Sequence, residues 1–360
     1  MAYRFITASK DASVYLQQPD QNTGLDEILE VSKVYYGNIK DVSRSLLKFN
    51  LNEFSASLSN GSVNLEEAKL ILRETESEEI ALNFDINIHP IAKNWEMGNG
   101  TRFDKITTSG VTWDHREGDT SLKWVEASDG IEPLFPVNTT GSFDGRGGIW
   151  HTTPISTQQF SYNTDDIVTD ITPMVNEWIS GSMDNHGIIV KHTDGVEENV
   201  NDYGILRFFS KETNTIHQPK LRIGWSDVSF NSGSLTELTN ENIKVGIRNL
   251  KTNYRVNTIP KIRVVGRELF PIKAFSNLPQ YGISKHLPQS SYYQIKDYES
   301  NDVIIPFSEY TKLSCDSMSN YFNLDLFNWE VDRVYKIEFK VIIDGSENIF
   351  DNKDTFTLRK

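Results

Sequence analysis

Short runs in which apolar and polar residues alternate recur along the whole chain, bounded by Gly, Asn, Asp and Pro. Examples are RSLLKFN (44–50), EEAKLILRE (66–74), NFDINIHP (83–90) and YGILRFFS (203–210). A period of two predicts half-buried β-strands. In EEAKLILRE, Ala68, Leu70 and Leu72 face one way and Lys69, Ile71 and Arg73 the other, the pattern of an antiparallel sheet packed on one side. Helical patterning is scarce. Its best instance is DITPMVNEWISG (170–181), with Asp170 or Thr172 as N-cap, Pro173 in the first turn, Gly181 as the stop and a buried stripe of Val175, Trp178 and Ile179.

Between 94 and 165 the alternation loosens into NWEMGNGTRFDK, TSGVTWDHREGD and NTTGSFDGRGGIW, which predicts a long decorated loop or loop cluster. Long loops in compact domains are often partner-facing, so this region is the first candidate for a binding surface. The simplest expectation for Trp95, Trp113, Trp124 and Trp150 is that they anchor these loops on the sandwich. A second break, at 225–245, interrupts the apolar pattern with Asn231, Ser232, Gly233 and Ser234 and places a domain boundary near 236, giving domains 1–235 and 236–360. Strand patterns resume at 242–250, 260–269, 302–308, 321–327, 333–344 and 354–360, while 270–298 reads as another extended insertion. That strand density is the one expected of a small immunoglobulin-like sandwich.

Composition narrows the classes. The 360 residues carry 36 Lys and Arg against 50 Asp and Glu, a net charge of −14, so the basic footprint of a nucleic-acid binder is missing. No stretch approaches the roughly 20 apolar residues of a membrane span. The single Cys315 excludes a disulfide framework or a cysteine-rich zinc site and is expected to be a small core residue. The N-terminal MAYRFITASKDASVYL lacks the pattern of a secretory signal, which predicts synthesis and retention in the cytoplasm unless a particle carries the chain out.

Catalytic signatures do not emerge. There is no HExxH, no Gly-x-Ser-x-Gly elbow and no phosphate-binding GxxxxGK[ST] loop, and GSFDGRGG (141–148) reads as an ordinary loop. His186 and His192 are six apart, which on a strand would put them on one face, but no third ligand lies near in sequence. The acidic clusters ETESEE (74–79) and DGVEEN (194–199) read as solvated turns; a structural calcium ion held by such oxygen-rich loops is compatible with the sequence, and no other cofactor is expected.

Several segments of residues 1–228 together resemble the DNRLRE-type domain, a jelly-roll-like β-sandwich related to carbohydrate-binding modules. The opening DASVYLQQPDQNTG followed by RSLLKFNLNEF is similar to its first strands. EEAKLILRE, INIHPIAKNW and VTW are similar to its Ala-x-Leu strand and paired tryptophan loop, here Trp95 and Trp113. DITPMVNEWISGSMDNHGIIVKH and ILRFFSKETNTIHQPKLRIGW resemble its helical turn and closing strands. The resemblance implies a jelly-roll-like sandwich with long loop insertions for the N-terminal domain; the second domain lies outside it, and the strand density there adds a smaller immunoglobulin-like sandwich, so the expected chain is all-β with two domains.

Two β modules without catalytic motifs or an export signal resemble tailed-phage virion components. The leading expectation is therefore a non-enzymatic structural protein of the neck, tail, baseplate or capsid decoration, located in the virion and contacting other virion proteins and copies of itself. The loops at 94–165 and 270–298 would be its contact surfaces, ordered on assembly. The alternative is a carbohydrate-binding module or adhesin that holds host-surface glycan on Trp95, Trp113 and Trp150. A polysaccharide-degrading enzyme would need an acid pair in a cleft, one member with a raised pKa, and no pair is identified in the sequence.

Overall fold

A computed structural model describes residues 2–52, 64–107, 109–125, 135–142, 144–161, 166–271 and 285–360. It is nearly all β, with large antiparallel sheets. The chain forms two compact units, one comprising Ile6–Ser62 and Glu67–Arg222, the other Met1–Phe5, Val63–Glu66 and Ile223–Lys360.

The first unit draws on strands β1 (Ala2–Tyr15), β2 (Ile28–Tyr36), β3 (Ile39–Phe49), β4 (Asn64–Leu72) and β5 (Asn83–Pro90). Two small hairpins follow, β6 (His115–Glu117) with β7 (Leu122–Lys123) and β8 (Thr139–Gly141) with β9 (Ile149–His151). Then come β10 (Ser156–Ser161), β11 (Ile167–Asp170), β12 (Ile188–His192), β13 (Gly204–Phe209) and β14 (Lys220–Ser226). The main sheet runs β10-β5-β12-β3-β1-β14-β4-β11, with β13 on β2 and β2 on β3. Strand β3 is a fork. One side pairs with β1; the other pairs with β2 over Ile39–Ser43 and with β12 over Ser45–Leu47. Arg44 lies where the partner changes. The β2–β3 turn is a two-residue loop, Gly37 and Asn38, with φ of 58° and 68°. Consecutive positive φ values match the right-handed twist of the flanking strands.

The one patterned helix is α1 (Thr172–Ser180). The N-cap is Ile171, without a side-chain cap bond, rather than Asp170 or Thr172; Asp170 Oδ1 accepts from the Thr172 backbone N–H at 2.8 Å, Pro173 stands in the first turn and Gly181 closes the helix at φ 76°. Its buried side chains are Met174, Val175 and Trp178; Ile179 is only half-buried, so the stripe is rotated from the expected one. A one-turn helix, α2 (Asp194–Glu198), follows β12.

Much of the stretch expected to be a decorated loop packs as a layer of the core, while parts such as Phe103, Ile106 and Val137 stay exposed. Ala12, Val14, Val42, Leu46 and Ile189 from the sheet meet Trp95, Val111, Trp113, Trp124, Ile149 and Trp150. Asn22 fastens this layer. Its buried amide donates to the carbonyls of Met97 (2.8 Å) and Val111 (2.7 Å), and its Oδ1 accepts from the Gly100 N–H at 2.8 Å. Gly98 permits that approach: its φ is +80°, and a Cβ there would lie 2.4 Å from Asn22 Oδ1.

The second unit contains two further sheets. One orders β15 (Ile243–Ile247), β17 (Lys261–Glu268), β21 (Asn320–Asn323) and β20 (Ser314–Cys315). The other orders β16 (Asn253–Arg255), β23 (Ser346–Arg359), β22 (Val334–Ile343), β18 (Ser291–Asp297) and β19 (Val303–Ile305). Phe322 of the first sheet stacks on Tyr293 of the second at 4.1 Å and meets Phe339 edge-on, so the sheets pack face to face. Strand β18 lies inside the segment expected to be an insertion. Ser291–Ile295 are all buried, and a strand covered on both faces shows no alternation to find. Residues 272–284 of that segment lie outside the described residues. Cys315 is buried, and burial pushes its thiol up to about 11.

Candidate functional site

On strand β3 the core-facing row reads Val42, Arg44, Leu46, a guanidinium between two buried aliphatic side chains. An isolated cation there would be prohibitively desolvated, so its partners decide whether the sheet forms. Glu197, from α2, supplies a two-pronged contact: Arg44 Nε donates to Oε1 at 3.1 Å and Nη2 to Oε2 at 2.6 Å. Arg44 Nη1 donates to the Gly147 carbonyl at 2.6 Å and Nη2 to Ser142 Oγ at 2.9 Å. The guanidinium carbon lies 4.7 Å from the Trp113 ring centre and 5.1 Å from that of Trp150. Cations over indole faces gain from the ring quadrupole, more so when desolvated.

Lys191 completes the cluster from β12, where all five residues are buried. Its ammonium donates to Asp194 Oδ1 at 2.6 Å and to the His192 carbonyl at 2.7 Å, sits 3.5 Å from Glu197 Oε2, and lies 5.0 Å from the Trp150 ring centre. Burial alone would raise the Glu197 carboxyl, but Arg44 and Lys191 more than offset it and leave it below the ordinary glutamate value. Asp194 is likewise lowered, with burial opposed by Lys191. Both are therefore anions near neutrality.

Two histidines border the network. Burial, with Lys191 adding to it, pushes His89 down to about 4, although its Nδ1 is 3.2 Å from the His151 carbonyl. Burial also lowers His192 to about 4; among the described residues neither of its ring nitrogens has a hydrogen-bond partner, and the ring packs between Phe84 and Tyr203.

Above Arg44 opens a cleft of about 650 Å³. Trp113, Phe135 and Trp150 form its apolar wall, Thr140 and Ser142 offer hydroxyls, and Asp144, Asp194, Glu197 and Glu198 outnumber Lys40 and Arg44. Its mouth is thus acidic. Hydroxyls, carboxylates and a fixed guanidinium give it the means to bind a hydrogen-bonding or cationic group.

The expected glycan platform does not sit on the surface. Trp95, Trp113 and Trp150 do come together, but in the core, at 0%, 2% and 1% exposure. Trp95 Nε1 donates inward to the His186 carbonyl at 3.0 Å. Sugars stack on an open aromatic face, and these faces are covered by Arg44, Lys191 and aliphatic side chains, so the anchoring expectation for these tryptophans holds and the platform is corrected. Glu197 corrects another reading, since DGVEEN is not wholly a solvated turn. His186 precedes β12, whose last residue is His192, and among the described residues no group of three His, Cys, Asp or Glu side chains is placed to hold a metal ion. The sequence did carry a signal for Arg44 and Lys191: each is a charge on a face otherwise written in Val, Leu and Ile.

No family model and no curated protein matches the chain. Among solved structures it is similar to the crystal structure of a DUF4785 family protein from Legionella pneumophila, with 8% sequence identity and a TM-score of 0.21. The alignment covers 98% of this chain and 65% of that one.

Proposed function

We propose that this chain is a non-enzymatic structural component of a phage virion, at the neck, tail, baseplate or capsid surface, acting through contacts with other virion proteins and copies of itself. On this reading the first unit is a jelly-roll-like sandwich of the DNRLRE and carbohydrate-binding-module kind, and the second is an immunoglobulin-like module. The observation that carries it is the β2–β3 hairpin. Tyr36 and Ile39 pair across the turn and are 84% and 58% exposed, while the tryptophans of the same unit are held inside. Paired apolar side chains on an exposed hairpin tip suit burial against a partner. Lys40, beside them, lines the acidic cleft, whose carboxylates fit a Lys or Arg side chain of a neighbouring subunit. Glu197 and Asp194 are tied to cations as anions rather than poised as proton donors, which favours binding over acid–base catalysis.

Peptide mass spectrometry of density-gradient-purified particles from the source culture tests the proposal. A fixed ratio of this chain to the major capsid protein is expected, and its absence from particles overturns the virion role. A second reading, glycan binding, is favoured by the cleft itself, with Phe135 as the aromatic side chain and Thr140, Ser142 and Asp144 as hydrogen-bonding groups. Retention on a glycan array that is lost on Phe135→Ala would move the weight to it.

A further inference from the structure

In a chain with a net charge of −14, one hollow of the second unit carries only positive charge. It encloses about 580 Å³ and is lined by Lys251, Arg255 and Lys261 together with Asn253, Thr258 and Pro260 among others; no carboxylate is among its described lining residues. Its floor is fixed. Tyr254 points into the core, edge-on to Phe356 at 5.7 Å, and its hydroxyl accepts from the Lys251 backbone N–H at 3.0 Å. Alternation then turns Asn253 and Arg255 outward from β16. Asn249 clamps the rim, its amide donating to the Lys261 carbonyl at 2.8 Å while its Oδ1 accepts from the Arg263 N–H at 2.7 Å.

Two of the three cations of this hollow are left bare, while Lys261 lies 3.4 Å from the Tyr321 ring centre. Lys261 shares Asp316 with Arg263, one carboxylate between two cations. Lys251, Asn253 and Arg255 have no side-chain hydrogen bond or ion pair among the described residues. Strands β16 and β23 run parallel and place Arg255 directly opposite Arg359. Arg359 has its own carboxylate, Asp332 at 3.1 Å, and Arg255 has none among the described residues. Like charges placed directly opposite each other on a sheet are destabilising unless a counter-charge sits between or beside them. A concave wall of one sign also concentrates its field on whatever enters, even against the sign of the whole molecule.

We propose that this hollow is an oxyanion-binding site, in which Arg255 and Lys251 hold a phosphate or sulfate group carried on a ligand the size of a sugar. Arg255 provides the planar fork that matches two oxygens of a tetrahedral oxyanion, and Lys251 the point charge. The Asn253 amide and the Ile259–Pro260 wall are left for the rest of the ligand, and the volume lies within the range of small-molecule sites. The site shares no residue with the Arg44 cleft and does not depend on the virion proposal.

The test is titration of the full chain, at low ionic strength and neutral pH, with inorganic phosphate, inorganic sulfate, glucose 6-phosphate and glucose, followed by amide chemical shifts. Saturable shifts confined to residues 249–261 are expected for the three anions and not for glucose. Arg255→Gln should weaken them roughly tenfold or more, the loss of one charge-assisted bidentate contact, and Lys251→Gln should act in the same direction. Both side chains are exposed, so the variants should keep the parent's thermal midpoint. Glucose 6-phosphate binding more tightly than phosphate assigns the ligand as a phosphorylated sugar, and equal binding assigns the free oxyanion. Absence of saturable shifts with every anion, unchanged affinity in Arg255→Gln, or equal binding of glucose would overturn the proposal.

Discussion

Glu197→Gln tests whether the Arg44 cluster holds the first unit together. The substitution keeps the side chain's shape and removes its charge. Arg44 then keeps the Gly147 carbonyl, the Ser142 hydroxyl and two indole faces, none of which is an anion. Lys191 keeps Asp194, whose side chain is largely exposed and so a weaker counter-charge. Breaking a buried ion pair by removing one partner costs about 3–5 kcal/mol, and here both sides of the pair are nearly sealed from water. With a urea slope of roughly 2–3 kcal/mol/M for a unit of this size, the midpoint should fall by about 1–2 M. Tryptophan emission is the natural probe, because Trp113 and Trp150 flank the guanidinium and Trp95 and Trp124 share their cluster. Replacing the pair with apolar residues, Arg44→Met with Glu197→Leu, should recover most of the loss, since the guanidinium is gone and Lys191 keeps Asp194. A shift below about 1 kcal/mol in Glu197→Gln, or a double variant no better than the single one, would refute the reasoning.

Stability should also fall on acidification below about pH 6.5. His89 and His192 titrate near 4 when folded and near 6.5 when unfolded, so between those values only the unfolded chain takes up their protons. Each contributes a slope of about 1.4 kcal/mol per pH unit inside that window, and His89→Phe with His192→Phe should flatten the urea midpoint between pH 6.5 and 4.5. Asp11 acts in the opposite sense: burial pushes its carboxyl up to about 7, the folded state binds the extra proton, and Asp11→Asn should steepen the rise in stability with pH. Asn22→Ala strands the carbonyls of Met97 and Val111 and should cost about 3 kcal/mol, with hydrogen exchange accelerating first in residues 97–111. By contrast, Tyr36→Ser with Ile39→Ser should change stability by less than about 0.5 kcal/mol, because both side chains are largely exposed, yet abolish incorporation into particles if the hairpin is the contact.

Local features were legible in the order of residues alone. Alternation located strands such as Asn83–Pro90 and Gly204–Phe209 closely and the second half of Ile39–Phe49, and Pro173 and Gly181 marked the helix ends, although its N-cap is Ile171; strand faces and helix ends are set by neighbours a few positions away. What those faces meet depends on contacts between residues far apart along the chain. Residues 94–107, 109–125, 135–142 and 144–150 are polar and glycine-rich enough to look like free loops, yet Asn22 and the tryptophans fasten much of this stretch to the sheet, the Asn22 contacts spanning 75 and 89 positions. That second layer turns the tryptophans from possible sugar platforms into core. It seals Arg44 and Lys191 from water and draws Glu197 in from a stretch that reads as a solvated turn. Strand β18 escaped detection for the related reason that a segment buried on both sides has no polar face to reveal it. Burial belongs to the pair of surfaces that meet, and a single sequence shows one surface at a time.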